Sequence, residues 1–179
     1  MLATLSTAYA TTITQALSAS IHPLPTFDVL FGPAYKGIPF ASIAALALCT
    51  QHQINVGFAY DRKEVKDHGE GGLLVGASLQ GQRVVILDDV MTSGKAVRGA
   101  IDTVRKCGGE VVGVIQALDR EEVGQDGTSS TVKELEGLIG KGRVLSILKM
   151  RDLMQWLEEN GMNEHLEDMR EYWKRYGLK

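Results

Sequence analysis

Two adjacent carboxylates, Asp88 and Asp89, directly follow a short apolar run over residues 84–87. Shortly after them comes the small, polar stretch Thr92-Ser93-Gly94. The run Val84-Val85-Ile86-Leu87 is uninterrupted and rich in β-branched residues, the pattern of a strand buried on both faces. From Lys95 the pattern turns helical. A strand that opens into a small-residue loop and then a helix suits a phosphate. The helix start leaves backbone N–H groups unpaired and carries partial positive charge. Gly94 lets the backbone approach an anion closely, and the Thr92 and Ser93 hydroxyls add donors. Two carboxylates beside such a loop repel a bare phosphate. They make sense where the same ligand also presents sugar hydroxyls or a divalent cation, as a ribose 5-phosphate does. The plainer alternative is that Asp88 and Asp89 merely begin a helix.

Two familiar phosphate motifs do not fit. A nucleotide P-loop requires a glycine five residues before the Gly-Lys pair, where this chain has Asp89, and a Ser or Thr where it has Ala96. A dinucleotide-binding turn requires three spaced glycines, which are absent here.

Leu87-Asp88-Asp89-Val90-Met91-Thr92-Ser93-Gly94 resembles the phosphoribosyl-pyrophosphate (PRPP) signature of the type I phosphoribosyltransferases. Two further stretches narrow the resemblance to orotate phosphoribosyltransferase, its fungal branch above all. They are Phe31-Gly32-Pro33-Ala34-Tyr35-Lys36-Gly37 and Arg62-Lys63-Glu64-Val65-Lys66-Asp67-His68-Gly69-Glu70-Gly71-Gly72. The similarity extends along the whole chain and is strongest over residues 27–120. It implies one α/β domain over residues 1–179, with a parallel-sheet, Rossmann-like core, flanking helices and a mobile catalytic loop. It also implies transfer of the phosphoribosyl group of PRPP to orotate, giving orotidine 5'-monophosphate and pyrophosphate, with Mg²⁺ held mainly by PRPP and Asp88 and Asp89 near it or joined through water. The PRPP contacts implied are Tyr35, Lys36, Asp88, Asp89, Val90, Met91, Thr92, Ser93, Gly94, Lys95 and Ala96. Thr92 and Arg120 are the implied orotate contacts. Arg62, Lys63, Lys66 and His68 are the implied catalytic residues, carried on a loop over 61–72 that closes over PRPP in the other subunit of a homodimer. Members of the family carry a segment ahead of their first core helix that roofs the orotate with a lysine and an aromatic pair. This sequence begins within that helix, so PRPP binding with weak or absent orotate turnover is the expectation. A purine phosphoribosyltransferase and a non-catalytic PRPP-binding regulator are the competing readings.

The elements that must hold these residues follow from periodicity. Leu2, Leu5, Tyr9, Ile13 and Leu17 recur at helical spacing. Pro23 and Pro25 end that pattern, and His22 beside them reads as solvated. Residues 27–31 read as the first strand, running into 32–37. A helix with Pro39 in its first turn then extends to about Cys49. Lys36 is the sole Lys, Arg, Asp or Glu between Asp28 and Asp61, which favours an anion contact over an incidental surface position. Residues 55–60 are the third strand. The charged run over 61–72 reads either as a solvated loop or as a lid, with Gly69, Gly71 and Gly72 as hinges. Residues 73–78 begin a short hairpin, with Gln80-Gly81-Gln82 as a turn. A helix over 95–106, a strand over 110–118, a flexible surface loop over 124–130, a helix over 131–139 and a strand over 144–148 come next. Two helices around Asn160-Gly161 end the chain, their aromatic residues read as packing. Arg120, at the end of the 110–118 strand, suits a carboxylate ligand or an ion pair with Glu121 or Glu122 equally well. The segments 32–37, 88–94 and 119–122 each follow a strand, so a parallel sheet brings them to one edge.

Composition limits the alternatives. The chain has 179 residues, 44% hydrophobic and 23% charged, enough for one domain with its own core. A net charge of −3 argues against a general nucleic-acid binder. No apolar stretch reaches the roughly 18 residues of a membrane span, and residues 1–20 lack the basic residues of a leader. A cytoplasmic location follows as the default. Cys49 and Cys107 lack metal-ligand spacing and are expected as small buried hydrophobes.

Overall fold

A computed structural model describes residues 2–66 and 72–178. The strands are β1 (Val29–Gly32), β2 (Gly57–Lys66), β3 (Gly72–Gly76), β4 (Arg83–Met91), β5 (Glu110–Asp119) and β6 (Val144–Lys149). They form one sheet in the order β3-β2-β1-β4-β5-β6. Every pairing is parallel except β2 with β3, which is antiparallel and closes one edge. The helices are α1 (Leu2–Leu17), α2 (Gly37–His52), α3 (Lys95–Lys106), α4 (Thr131–Ile139), α5 (Met150–Glu159) and α6 (Asn163–Tyr176).

The four residues 84–87 are fully buried and divide between the two faces of the sheet. Val84 and Ile86 pack with Val97, Ile101 and Val104 of α3 and Leu135 and Ile139 of α4. Val85 and Leu87 pack with Tyr9 and Ile13 of α1 and Ala44 and Leu48 of α2. A strand with helices on both faces needs apolar side chains at consecutive positions, which explains a run without alternation. The α/β architecture, with its parallel core and flanking helices, is therefore as expected, and β3 is its one antiparallel strand.

Several boundaries differ from the periodicity reading. β4 does not stop at Leu87 but runs on through Asp88 and Asp89 to Met91, because β5 continues beside it: Asp88 pairs with Gln116 and Met91 with Asp119. Likewise β2 runs to Lys66, paired with Gly72. Arg62 and Lys63 thus stand on a strand and not in a loop, and the hairpin joins β2 to β3. Pairing with a neighbour supplies backbone partners that a charged sequence does not advertise. Residues 124–130 form a hydrogen-bonded turn: Asp126 accepts from the Thr128 and Ser129 N–H groups and from the Ser129 hydroxyl. Cys49 is exposed and Cys107 only half-buried, against expectation. In α1 the burial centres on Tyr9, Ala10 and Ile13, while Leu2 is exposed.

Gln116 of β5 is wholly buried, and neither polar atom of its amide has a partner among the described residues. An unsatisfied buried amide costs stability, and an apolar group of similar size removes that cost. Gln116→Leu is expected to raise stability by about 1–2 kcal/mol, a rise in Tm of roughly 2–6 °C, measured by thermal melting of the ligand-free protein. A fall in Tm would show that the amide is satisfied.

Candidate active site

β1, β4 and β5 are parallel neighbours, so the segments that follow them leave the same edge of the sheet. At that edge lies a cavity of about 570 Å³. Its floor is the end of β4, with Asp88, Val90 and Met91. One wall is Thr92, Ser93 and Gly94 with Lys95 and Ala96 of α3. The opposite wall is Pro33 and Ala34, after β1, with Asp61 and Lys63 of β2.

The loop over 92–94 is braced from below. Gly94 begins α3 in the left-handed region, at φ 71°, and a side chain there would meet Thr131 Cγ2 at 2.7 Å. Glycine satisfies both demands. The buried Thr131 hydroxyl donates to the Thr92 carbonyl at 2.8 Å, tying the loop to the start of α4. Arg98 of α3 and Glu134 of α4 form an ion pair that holds the two helices together.

Asp88 is buried at the end of β4. Its carbonyl accepts the Tyr9 hydroxyl of α1 at 2.7 Å, and its carboxyl accepts the Asp89 N–H at 2.9 Å. Burial pushes the Asp88 carboxyl up to about 6, and the neighbouring Asp89 charge adds to the rise. Asp89 goes the other way. Burial opposes its ionisation, but Lys36 overrides that and holds the carboxyl below its ordinary value. Their separation is 3.0 Å. Like-charged neighbours in one site are pushed apart in pKa in this manner. Burial also raises the Tyr9 phenol, as do the charges of Asp88 and Asp89.

The turn after β1 is packed against β4. A side chain on Gly37 would meet Pro33 Cδ at 2.5 Å and the Leu87 carbonyl at 2.7 Å. The Ala34 N–H donates to Asp61 Oδ1 at 2.6 Å, which fastens the turn to β2.

The structure brings Lys63, Asp88 and residues 90–96 into one cavity, with the Lys36–Asp89 pair beside it. Tyr35 is 70% exposed and stands outside the lining. Lys63 lines the cavity of its own chain. Arg62 stands between Asp61 and Lys63 on β2 and is not part of the cavity lining. Lys66 ends β2, and His68, with the other residues over 67–71, lies outside the described residues. Arg120 lines a second cavity of about 350 Å³ with Leu118, Met150 and Tyr172. Its guanidinium takes the ion-pair alternative, with Glu122 at 3.6 Å, and also donates to the Tyr172 hydroxyl at 3.0 Å. Tyr172 is thus a partner of a site residue and not simple packing.

Tyr9, Asp61 and Thr131 escaped the sequence reading as site residues. Tyr9 and Thr131 lie on helices remote in sequence, and no local signal marks them. Asp61 opens the charged run, where it is one acid among several.

Among the described residues, no group of three or more His, Cys, Asp and Glu is arranged to hold a metal ion. The donor set at the end of β4 is two carboxylates beside a small-residue loop at a helix start. That suits Mg²⁺, which takes one or two carboxylates and fills its shell from water and substrate phosphate.

These loops on this sheet define a class. Residues 10–134 match the family model described as phosphoribosyl transferase domain. The chain is 42% identical over 166 residues to the orotate phosphoribosyltransferase of Acinetobacter baumannii, covering 93% of this chain and 76% of that one. It is 47% identical over 153 residues to that of Thioalkalivibrio sulfidiphilus, covering 85% and 70%. The crystal structure of orotate phosphoribosyltransferase from Francisella tularensis superposes with a TM-score of 0.77 at 30% identity, covering 98% of this chain and 80% of that one. The Mycobacterium tuberculosis orotate phosphoribosyltransferase in complex with PRPP shares the fold, with a TM-score of 0.59 at 24% identity, covering 83% and 75%. The chain belongs to the phosphoribosyl transferase domain family and, within it, to the orotate phosphoribosyltransferases.

The raised Asp88 has a consequence for ligand-free stability. A carboxyl whose folded pKa exceeds its unfolded value, about 4, contributes stability below that value and loses it as pH rises through about 6. Asp88→Asn stays neutral throughout. Its Tm relative to the parent protein is therefore expected to climb between about pH 4 and pH 7 and to level off above. Melting curves at several pH values check this, and a flat difference would show that Asp88 titrates normally.

Proposed function

We propose that this chain transfers the 5-phosphoribosyl group of PRPP to orotate, giving orotidine 5'-monophosphate and pyrophosphate in pyrimidine biosynthesis. One observation supports the reading above the others. A buried carboxylate, Asp88, and the backbone donors at the start of α3 line one cavity, in a chain 42% identical to an orotate phosphoribosyltransferase over 93% of its length.

The 5-phosphate is assigned to Thr92, Ser93, Gly94, Lys95 and Ala96, where backbone N–H groups and the helix start favour an anion. Asp88 and Asp89 take the ribose hydroxyls. The pyrophosphate is assigned to the opposite wall, between the turn at Ala34–Lys36 and Lys63. Orotate is assigned to Thr92 and to Arg120, whose planar fork matches a carboxylate. A ring nitrogen of orotate attacks C1 of the ribose as the C1–O bond to pyrophosphate breaks, so no side-chain nucleophile is required. Catalysis is then positioning of the two substrates and stabilisation of the leaving charge. Lys63 neutralises part of that charge within its own subunit. Arg62, Lys66 and His68 are proposed to complete the cover across a homodimer, with Lys66 and His68 able to supply a proton to the leaving group. Mg²⁺, when bound, is held mainly by PRPP with Asp88 and Asp89 beside it, and supplies charge neutralisation on the pyrophosphate. A cytoplasmic location accords with the proposed chemistry. Among the described residues no helix is long and apolar enough to cross a membrane.

The test is an assay of orotate consumption and pyrophosphate release with PRPP and Mg²⁺. Turnover with orotate, none with hypoxanthine, and loss of turnover on removing Mg²⁺ with EDTA are expected. Lys63→Ala is expected to lower kcat/KM at least tenfold, about 1.4 kcal/mol of transition-state stabilisation, with Tm shifted by no more than about 1 °C. Calorimetric binding of PRPP without orotate consumption would uphold the PRPP half of the site and remove the base half.

A further inference from the structure

Asp61 is out of place by charge. It lines the cavity assigned to a highly charged anion, on the same wall as Lys63 and next to Ala34. Its carboxylate accepts the Ala34 N–H at 2.6 Å. That N–H lies in the turn after β1, a segment closed by a hydrogen bond from the Gly37 N–H to the Pro33 carbonyl at 3.0 Å. An outward-facing turn amide at the edge of a cavity is the group that a phosphoryl oxygen would take. Here a carboxylate oxygen of the protein already holds it.

We propose that Asp61 is an internal stand-in for a phosphoryl oxygen of pyrophosphate, competing with PRPP and with the product for the Ala34 amide. Resting on the function proposed above, this makes Asp61 a positioning residue with two effects. With the site open, it keeps the turn in the shape the ligand needs, because the amide is already bonded and the chain between β1 and α2 is pinned to β2. As the ligand enters, the carboxylate surrenders the amide and faces a like charge, which weakens binding. The same repulsion favours departure of pyrophosphate, after which Asp61 takes the amide back. Affinity is thus held down on both the substrate and the product side, without cost to the geometry of the turn.

Asp61→Asn separates charge from shape: the amide oxygen still accepts the Ala34 N–H, but the repulsion is gone. Pyrophosphate with Mg²⁺, titrated calorimetrically, is expected to bind Asp61→Asn roughly three- to tenfold more tightly than the parent, the size of one like-charge contact in a half-exposed site. KM for PRPP is expected to fall by a similar factor while kcat stays level or falls, a split that a merely structural role would not produce. Asp61→Gln, which keeps an uncharged carbonyl acceptor on a longer arm, gives a second reading should Asp61→Asn fail to fold. Equal or weaker pyrophosphate binding in the folded variants overturns the proposal. Absence of both PRPP and pyrophosphate binding in all proteins, the parent included, overturns the phosphoribosyl reading beneath it.

Discussion

The site depends on one constraint: β4 is buried on both faces up to the point where it must meet a ligand. Val84, Val85, Ile86 and Leu87 alternate between two hydrophobic clusters, one under α3 and α4 and the other under α1 and α2. A strand packed on both faces removes all four from water. Pairing with β5 extends the strand to Met91, so Asp88 is held by ladder hydrogen bonds as well as by packing. A carboxylate in that place cannot swing away to solvent. It is presented to the cavity by a rigid element, the condition under which a few polar groups position a substrate well.

Each packed face sends one bond to the same few residues. From α1, Tyr9 donates to the Asp88 carbonyl; from α4, Thr131 donates to the Thr92 carbonyl. The two bonds bracket the segment 88–92 from opposite sides of the sheet. Helices that are remote in sequence therefore have a direct hold on the loop that starts α3. Both bonds satisfy carbonyls near the strand end, where an unmet polar group is costly.

Charge in the cavity is balanced by pairing more than by net sign. Asp89 is neutralised by Lys36, while for Asp88 burial outweighs the pull of Lys36 and resists ionisation. Lys63 stands on the wall opposite the phosphate loop, with Asp61 beside it bonded to the turn backbone. Arg120 follows the same rule in its own cavity, held by Glu122 and by the Tyr172 hydroxyl.

What the sequence alone determined is whatever depends on neighbours along the chain. The fold class, the 95–106 and 131–139 helices, the small-residue loop with its glycine at the start of α3, and the carboxylate pair were all legible there, because periodicity and turn chemistry are local. Strand ends were not. β2 and β4 run past their apolar stretches because adjacent strands offer backbone partners, and the charged side chains of 61–66 carry no trace of that pairing. Tertiary structure alone decided that Lys63 lines its own chain's cavity, that Asp61 occupies the Ala34 amide, and that Tyr9 and Thr131 brace the loop. It also decided that Arg120 turns towards Tyr172. The physical reason is common to all of these. A contact between residues far apart in the chain is set by which faces the sheet brings together, and no window of sequence contains both partners.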